Sequence, residues 1–180
     1  KNPAQVRKTI VGFKSEESPV VSEIYGTNLS TLKQNLYSSL QSLPHGSEVY
    51  FIGRYRSDIK IFDEETAIDY YYDNADGKIK VVFKRRPDLI INFVTVHQSK
   101  GLQADYVFII NNKSSRMGFP SKIQDAPILE LLLGAIDNYP FAEERRLYYV
   151  ALTRARRKVF LCTLRHQESM FVFDALSLPL

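Results

Sequence analysis

A polar segment at residues 95–102 (TVHQSKGL) follows the largely apolar run 90–94 and carries the first groups that could do chemistry. Lys100 can neutralise a phosphate, Ser99 can donate a hydrogen bond, and Gly101 lets a ligand approach the backbone closely. These properties favour an anion-binding loop; a solvated strand-end loop without a ligand is the alternative. The glycine spacing is not that of a GxxxxGK[ST] phosphate loop.

A second segment whose side chains could bind a ligand covers residues 143–156 (EERRLYYVALTRAR). Its apolar residues recur at helical spacing, and Arg154 continues the same stripe as Leu147 and Ala151. Because a guanidinium group on the core-facing side of a helix needs a partner, we predict that Arg154 binds either a phosphate or a structural carboxylate. The other basic residues of this region fit a surface helix with ion pairs.

Two further arginines, Arg54 and Arg56, follow the apolar run 48–53. A side chain directly after a buried strand can project from the edge of a sheet into a cleft, where ligands of α/β proteins bind. We therefore expect one basic site formed by four residues: Arg54, Arg56, Lys100 and Arg154. His97 alone is a weak signal, since a loop histidine is more often an ordinary hydrogen-bonding residue than a catalyst.

The elements that must position these groups can be predicted from periodicity and turn residues. Leucines at 29, 32, 36, 40 and 43 predict an amphipathic helix, capped by Asn28 or Ser30 and ended by Pro44 and Gly46. Further helices are predicted at 128–135, 141–153 and 169–176, and loops at 14–19 and 111–127. Strands are predicted at 48–53, 90–96, 105–110 and 158–164, with a hairpin over 69–84 that has Gly77 at positive φ. This alternation predicts an α/β sandwich with a largely parallel sheet.

Composition and charge exclude several classes of protein. The chain has 180 residues, 24 basic and 20 acidic, and the resulting net charge of +4 is compatible with a polyanionic partner. A single cysteine, Cys162, excludes an internal disulfide framework and a multi-cysteine zinc site, and three histidines indicate no metal cluster. No apolar run approaches the roughly 18 residues of a membrane span. We expect a cytoplasmic protein, and the initial Lys1 predicts a fragment of a longer chain.

Two of these segments resemble motifs of superfamily 1 DNA helicases. Residues 95–107 (TVHQSKGLQADYV) resemble motif V, residues 143–155 (EERRLYYVALTRA) resemble motif VI, and residues 53–56 (GRYR) look like motif IV. Their order and separation fit the UvrD/Rep-like group, over about residues 48–164. The sequence GLQADY, followed by residues 118–120 (GFP), looks closest to the helicase IV branch.

The resemblance implies a second RecA-like domain, called 2A, with a three-layer sandwich related to P-loop NTPases. In this family ATP binds between two RecA-like domains, and arginines of the second domain reach the γ-phosphate. By motif position these are Arg54 and Arg154. Gly101 and Gln103 would lie beside the nucleotide, although many relatives carry Glu at the position of Gln103. Single-stranded DNA would meet four residues of motif V: Thr95, His97, Ser99 and Lys100.

Two departures from the family pattern shape the expectation. No phosphate loop and no DExx-type strand end occurs in the 180 residues, so ATP and Mg²⁺ would be bound mainly by a separate N-terminal RecA-like domain. The isolated chain should then not hydrolyse ATP. Only about 40 residues separate Arg54 from Thr95, so we expect a single domain over 1–180, with the hairpin at 69–84 in place of an inserted 2B domain.

Two functions therefore compete on the sequence. The first is the C-terminal motor domain of an ATP-dependent DNA helicase in DNA repair or recombination. The alternative is a non-catalytic module that binds nucleic acid or RNA polymerase and keeps a helicase-like fold. A phosphate loop upstream of Lys1 would favour the first. A third interpretation, an α/β domain with a fortuitously basic surface, is disfavoured by two long motifs in the right order.

Overall fold

The computed structural model describes residues 20–123 and 139–177. The loop predicted at 14–19, the short helix at 128–135 and the last residues of the 111–127 loop lie outside the described residues. The chain continues as a loop over residues 110–123, as predicted for its described part.

A seven-stranded sheet forms the centre of the described residues, in the order β1-β7-β6-β2-β5-β4-β3. The strands are β1 (Val20–Gly26), β2 (Glu48–Gly53), β3 (Ile68–Asp73), β4 (Lys78–Phe83), β5 (Ile90–Thr95), β6 (Ala104–Ile109) and β7 (Ala155–Leu164). The helices are α1 (Leu29–Gln41), α2 (Ala142–Leu152) and α3 (Met170–Leu176), and a 3₁₀ segment spans Arg56–Phe62.

Five of the strands are parallel, which confirms the predicted largely parallel sheet. The pairs β1–β7, β7–β6, β6–β2 and β2–β5 are parallel, whereas β4 pairs antiparallel with both β5 and β3. The predicted hairpin is thus present as β3–β4, with Gly77 at φ +69°, and it extends the central sheet at one side. Gly77 supplies the left-handed conformation that other residues adopt at a cost.

Helices cover both faces of the sheet, which confirms the predicted α/β three-layer fold. On one face α1 packs over a core that includes Leu36, Phe51 and Phe108. On the other face α2 and α3 pack over a core that includes Val107 and Leu161. The central strands are apolar on both sides because each side meets a helix layer.

The start of α1 agrees with the sequence prediction. Asn28 caps the helix, since its side-chain oxygen accepts a hydrogen bond from the backbone N–H of Thr31 at 2.9 Å. Leu32, Leu36 and Leu40 are buried, as their spacing predicts. Leu29 lies at the solvent-exposed start of the helix.

The parallel strands give the sheet two distinct ends, which position the candidate site. We call the end where β2 and β5 finish the carboxyl edge, and the end where β6 and β7 begin the amino edge. In residues 20–123 and 139–177 no helix is long and apolar enough to cross a membrane.

Candidate functional site

The chain between β5 and β6, residues 96–103, crosses the sheet from the carboxyl edge to the amino edge. It is here called the crossover segment. At its start the N–H of Val96 donates to the carbonyl of Gly53 at 2.9 Å, and at its end the N–H of Ala104 donates to the carbonyl of Arg154 at 3.1 Å. Since β2 lies between β5 and β6, the segment passes over β2, on the face that α2 covers. Eight residues thus link both edges of the sheet.

The carboxyl-edge end of the crossover segment is a tight turn with exposed polar groups. The N–H of Ser99 donates to the carbonyl of Thr95 at 3.0 Å, and the N–H of Leu102 donates to the carbonyl of Ser99 at 3.0 Å. His97 and Lys100 are exposed, and Thr95 is half-buried. The imidazole and ammonium groups therefore face solvent on one side of the turn.

Ser99 does not face solvent, contrary to the prediction that it contacts DNA. Its side chain is fully buried, and its hydroxyl donates to the carbonyl of Val96 at 2.7 Å. The hydroxyl closes the turn on the inside because the chain reverses direction there. The structure thus gives Ser99 a role in holding the turn that presents His97 and Lys100.

His97 lies in a cationic environment. Partial desolvation by the surrounding protein, together with the charges of Arg54 and Lys100, lowers the pKa of His97 below its ordinary value, and Glu144 and Glu143 act in the opposite direction. The neutral imidazole can offer one donor and one acceptor at neutral pH. The influence of both charges on the imidazole indicates that Arg54, His97 and Lys100 lie near one another at the carboxyl edge.

Arg154 lies beside the amino-edge end of the crossover segment. Its Nε donates to the carbonyl of Val150 at 2.8 Å, one terminal nitrogen donates to the carbonyl of Leu102 at 3.3 Å, and the other donates to the hydroxyl of Thr153 at 2.9 Å. Gln103 is exposed and precedes Ala104, the first residue of β6 at the amino edge. Arg154 and Gln103 therefore both lie at the amino edge of the sheet.

The prediction that Arg154 lies on the core-facing stripe of a helix is wrong, because α2 ends at Leu152. Thr153 caps the helix, with its hydroxyl donating to the carbonyl of Tyr149 at 3.0 Å, and β7 begins at Ala155. The Arg154 guanidinium thus donates to carbonyl and hydroxyl oxygens. Neutral oxygens bind a guanidinium group more weakly than a carboxylate does. A phosphate could therefore replace them at a lower cost in free energy than it could replace a carboxylate partner.

Arg54 is held by a carboxylate from α2. Its Nε lies 3.0 Å and 3.1 Å from the two carboxylate oxygens of Glu144, and Nη2 lies 2.7 Å from Oε1. Both side chains are mostly buried, with relative exposures of 17% and 12%. Charge-assisted bonds in such a setting are strong, so this ion pair fixes the start of α2 to the end of β2.

The same carboxylate also organises the loop before α2. Oε2 of Glu144 accepts a hydrogen bond from the N–H of Ser121 at 2.9 Å, and the Ser121 hydroxyl lies 2.5 Å from the hydroxyl of Tyr55. Nearby, Asp58 accepts from the N–H of Tyr55 at 2.9 Å and from the amide of Asn111 at 2.7 Å. Burial raises the pKa of Asp58. Residues after β2, after β6 and at the start of α2 thus form one polar network.

The structure places the backbones of Arg54 and Arg154 at opposite edges of the sheet, whereas the sequence analysis expects both in one basic site. Val49 of β2 and Lys158 of β7 lie at the same height along the strands, since each pairs with Tyr106 of β6. From that level Gly53 lies four residues toward the carboxyl edge and Ala155 lies three residues toward the amino edge. This corresponds to roughly 20 Å along the strands. Arg54 and Lys100 therefore belong to the carboxyl edge, and Arg154 belongs to the amino edge.

Glu144 is the residue of this site that the sequence interpretation missed. However, Glu144 precedes Leu147, Tyr148 and Ala151 at helical spacing, and all four are buried in α2. A carboxylate on the apolar stripe needs a cationic partner, and this signal could have identified it.

A metal centre is not indicated by the described parts of the chain, where no three His, Cys, Asp or Glu side chains are grouped to hold an ion.

Residues 80–166 match the family described as the UvrD-like helicase C-terminal domain. The matched range contains the crossover segment, Glu144 and Arg154. Over this range the chain is similar to the C-terminal domain of UvrD-like helicases. The mixed sheet with helices on both faces is consistent with the RecA-like fold of this C-terminal domain. Arg54 lies before the matched range.

Individual relatives of this UvrD-like domain are DNA helicases by name. DNA helicase IV of Escherichia coli is 41% identical over 102 residues, which cover 57% of this chain and 15% of the relative. The ATP-dependent DNA helicase Rep of Buchnera aphidicola is 33% identical over 98 residues, 53% of this chain and 13% of the relative. The ATP-dependent DNA helicase PcrA of Leuconostoc citreum is 35% identical over 74 residues, 41% of this chain and 8% of the relative.

These matches confirm the predicted resemblance to the UvrD/Rep-like group and to helicase IV. The UvrD-like domain spans less than a sixth of the length of each of these three relatives. No solved structure matches significantly.

Proposed function

We propose that this UvrD-like domain is the second motor domain, 2A, of an ATP-dependent DNA helicase. The observation that carries the proposal is the course of the crossover segment. It links His97 and Lys100 at the carboxyl edge to Gln103 at the amino edge, next to the backbone of Arg154. Relatives named as ATP-dependent DNA helicases support the same function.

The amino-edge end of the crossover segment is proposed to face the nucleotide. ATP with Mg²⁺ would bind between this domain and an N-terminal RecA-like domain that supplies the phosphate loop and the magnesium ligands. Arg154 would exchange its carbonyl partners for the γ-phosphate and stabilise the charge of the transition state. Gln103 is exposed and could bind the ribose, while Gly101, at φ +79° with open space around it, leaves room for the nucleotide.

The carboxyl-edge end is proposed to contact single-stranded DNA. Lys100 would pair with a backbone phosphate, and the exposed imidazole of His97 and the hydroxyl of Thr95 would supply hydrogen bonds. Ser99 would contribute through the turn that it closes. Since both ends belong to one short segment, a shift of Arg154 toward a phosphate would release the carbonyl of Leu102 and so loosen the segment that carries the DNA-facing turn.

Arg54 takes a different role in this proposal. It would reach a phosphate only after leaving Glu144, and it lies at the opposite edge of the sheet from Arg154. We therefore assign the transition-state role to Arg154 and a positioning role to Arg54, which holds the carboxyl edge together. The β3–β4 hairpin is proposed to stand in place of a 2B domain. Function in repair or recombination, a cytoplasmic location and the inactivity of the isolated chain stay predictions.

The experiment is to measure ATP hydrolysis by the full-length protein that carries this chain, with and without single-stranded DNA. We expect stimulation by DNA, with Lys100→Ala raising the DNA concentration for half-maximal stimulation several-fold and leaving the saturated rate nearly unchanged. Arg165→Ala, which removes an exposed arginine outside the crossover segment, is the control. Hydrolysis that DNA does not stimulate in the wild-type protein would refute the helicase function.

A further inference from the structure

A groove of about 250 Å³ lies between the tip of the β3–β4 hairpin and the crossover segment. Tyr72 and Lys78 of the hairpin form one wall, and Gln98 and Leu102 of the crossover segment form the other. Phe93 contributes to an apolar floor. The groove opens beside the turn proposed above to contact DNA, but none of the helicase motifs accounts for the hairpin wall.

On the hairpin side of the groove, an aromatic ring of β3 lies against a guanidinium group of the 3₁₀ segment. The guanidinium of Arg56 lies 4.8 Å from the centre of the Tyr72 ring, and the Tyr72 side chain is 48% exposed. Both groups offer planar surfaces on which nucleobases stack, and the cation adds attraction to a neighbouring phosphate. Asp76, the acidic residue of the same groove, is neutralised by Lys80 at 2.6 Å.

The opposite wall presents a hydrogen-bond donor with a fixed orientation. The side-chain oxygen of Gln98 accepts from the N–H and from the hydroxyl of Thr95, each at 3.1 Å. This arrangement fixes the amide, and its NH₂ group makes no hydrogen bond within residues 20–123 and 139–177. An oriented amide donor opposite a stacking surface suits an acceptor atom on the edge of a base.

We infer that this groove binds one unpaired base of single-stranded DNA, stacked on Tyr72 and Arg56 and hydrogen-bonded by Gln98. The inference rests on the proposed function and extends the DNA path from His97 and Lys100 onto the hairpin. A volume of about 250 Å³ admits one base-sized group, which disfavours a folded protein partner. Each stacked base typically changes affinity by about tenfold.

The test is to measure binding of the full-length protein to a fluorescent oligo(dT) and to an abasic oligomer of the same length and charge. We expect Tyr72→Ala to weaken binding of oligo(dT) about tenfold and to leave binding of the abasic oligomer unchanged, whereas Tyr72→Phe keeps the ring and the affinity. Tyr71→Ala is the matched control, since Tyr71 is 56% exposed and alternates to the other face of β3.

Oligo(dT) affinity of Tyr72→Ala equal to that of Tyr71→Ala would overturn the inference. If Lys100→Ala still weakens binding of both oligomers in that case, the proposed function stands and the hairpin site alone fails. Wild-type protein that binds neither oligomer would overturn both.

Discussion

The guanidinium of Arg54 binds the carboxylate of Glu144, which lies 90 residues later in the chain, through contacts of 2.7 Å and 3.0 Å. This ion pair joins the end of β2 to the start of α2 at the carboxyl edge. Because Glu144 also accepts from the N–H of Ser121, one carboxylate holds three separate stretches of the chain. The pair gives the first prediction.

Glu144→Ala should lower the free energy of unfolding by about 3 kcal/mol, because it leaves a mostly buried guanidinium without its carboxylate. The measurement is urea denaturation of the chain followed by circular dichroism. Glu143→Ala, at the exposed neighbouring position, is the matched control and should cost less than about 1 kcal/mol. Equal losses in the two variants would show that the ion pair does not stabilise the fold.

The second prediction concerns a buried hydrogen bond under α2. The hydroxyl of Tyr148 donates to the side-chain oxygen of Asn112 at 3.0 Å, and burial raises the pKa of Tyr148 well above its ordinary value. Tyr148→Phe removes the donor and leaves a buried amide oxygen unsatisfied, which should cost about 1–3 kcal/mol. The same denaturation experiment measures it.

Tyr149→Phe provides the control for that experiment, since Tyr149 is 55% exposed on the same helix. The Tyr149 hydroxyl faces solvent, so its removal leaves no buried group without a hydrogen bond. The substitution should therefore change the free energy of unfolding by less than about 0.5 kcal/mol. A Tyr148→Phe variant as stable as Tyr149→Phe would rule out a stabilising role for the bond to Asn112.

His97 should make the stability of the fold depend on pH. The folded protein lowers the pKa of His97, so between that value and the ordinary value of about 6.5 the unfolded chain binds more protons. The free energy of unfolding therefore falls as the pH drops through about 6.5 and below. His97→Gln should reduce this fall, measured by urea denaturation at a series of pH values between neutrality and about 5.

The exposed His166 supplies the comparison, because it is also a loop histidine but lies after β7. The pH dependence of His97→Gln is compared with that of His166→Gln. Equal pH dependence in the two variants would show that the partial desolvation and the cationic surroundings of His97 have no energetic consequence.

Sequence reasoning predicted the architecture well because the fold depends on local patterns. The leucine spacing of α1, the apolar runs of β2 and β6, and Gly77 in the hairpin each reflect a period or a turn that neighbouring residues determine. The two segments that resemble helicase motifs V and VI could likewise be recognised from the sequence, since each is continuous in the chain.

The arrangement of the site was less predictable because it depends on contacts between distant residues. The Arg54–Glu144 pair spans 90 positions, and nothing local to Arg54 identifies its partner. Extending the helical stripe to Arg154 failed because Thr153 and Arg154 take up carbonyl groups of the last turn of α2. Ser99 looked like a ligand-binding hydroxyl, but the reversal of the chain turns it inward.

The most direct test of the account is the rate of DNA-stimulated ATP hydrolysis by the full-length protein carrying Arg154→Ala, compared with Arg157→Ala. Arg157 is an exposed arginine close by in β7, so its loss removes the same charge without removing the proposed phosphate contact. We predict that Arg154→Ala lowers the saturated rate at least about a hundredfold, whereas Arg157→Ala stays close to wild type. A rate for Arg154→Ala within about twofold of wild type would contradict the transition-state role of Arg154, because losing such a group should cost several kcal/mol.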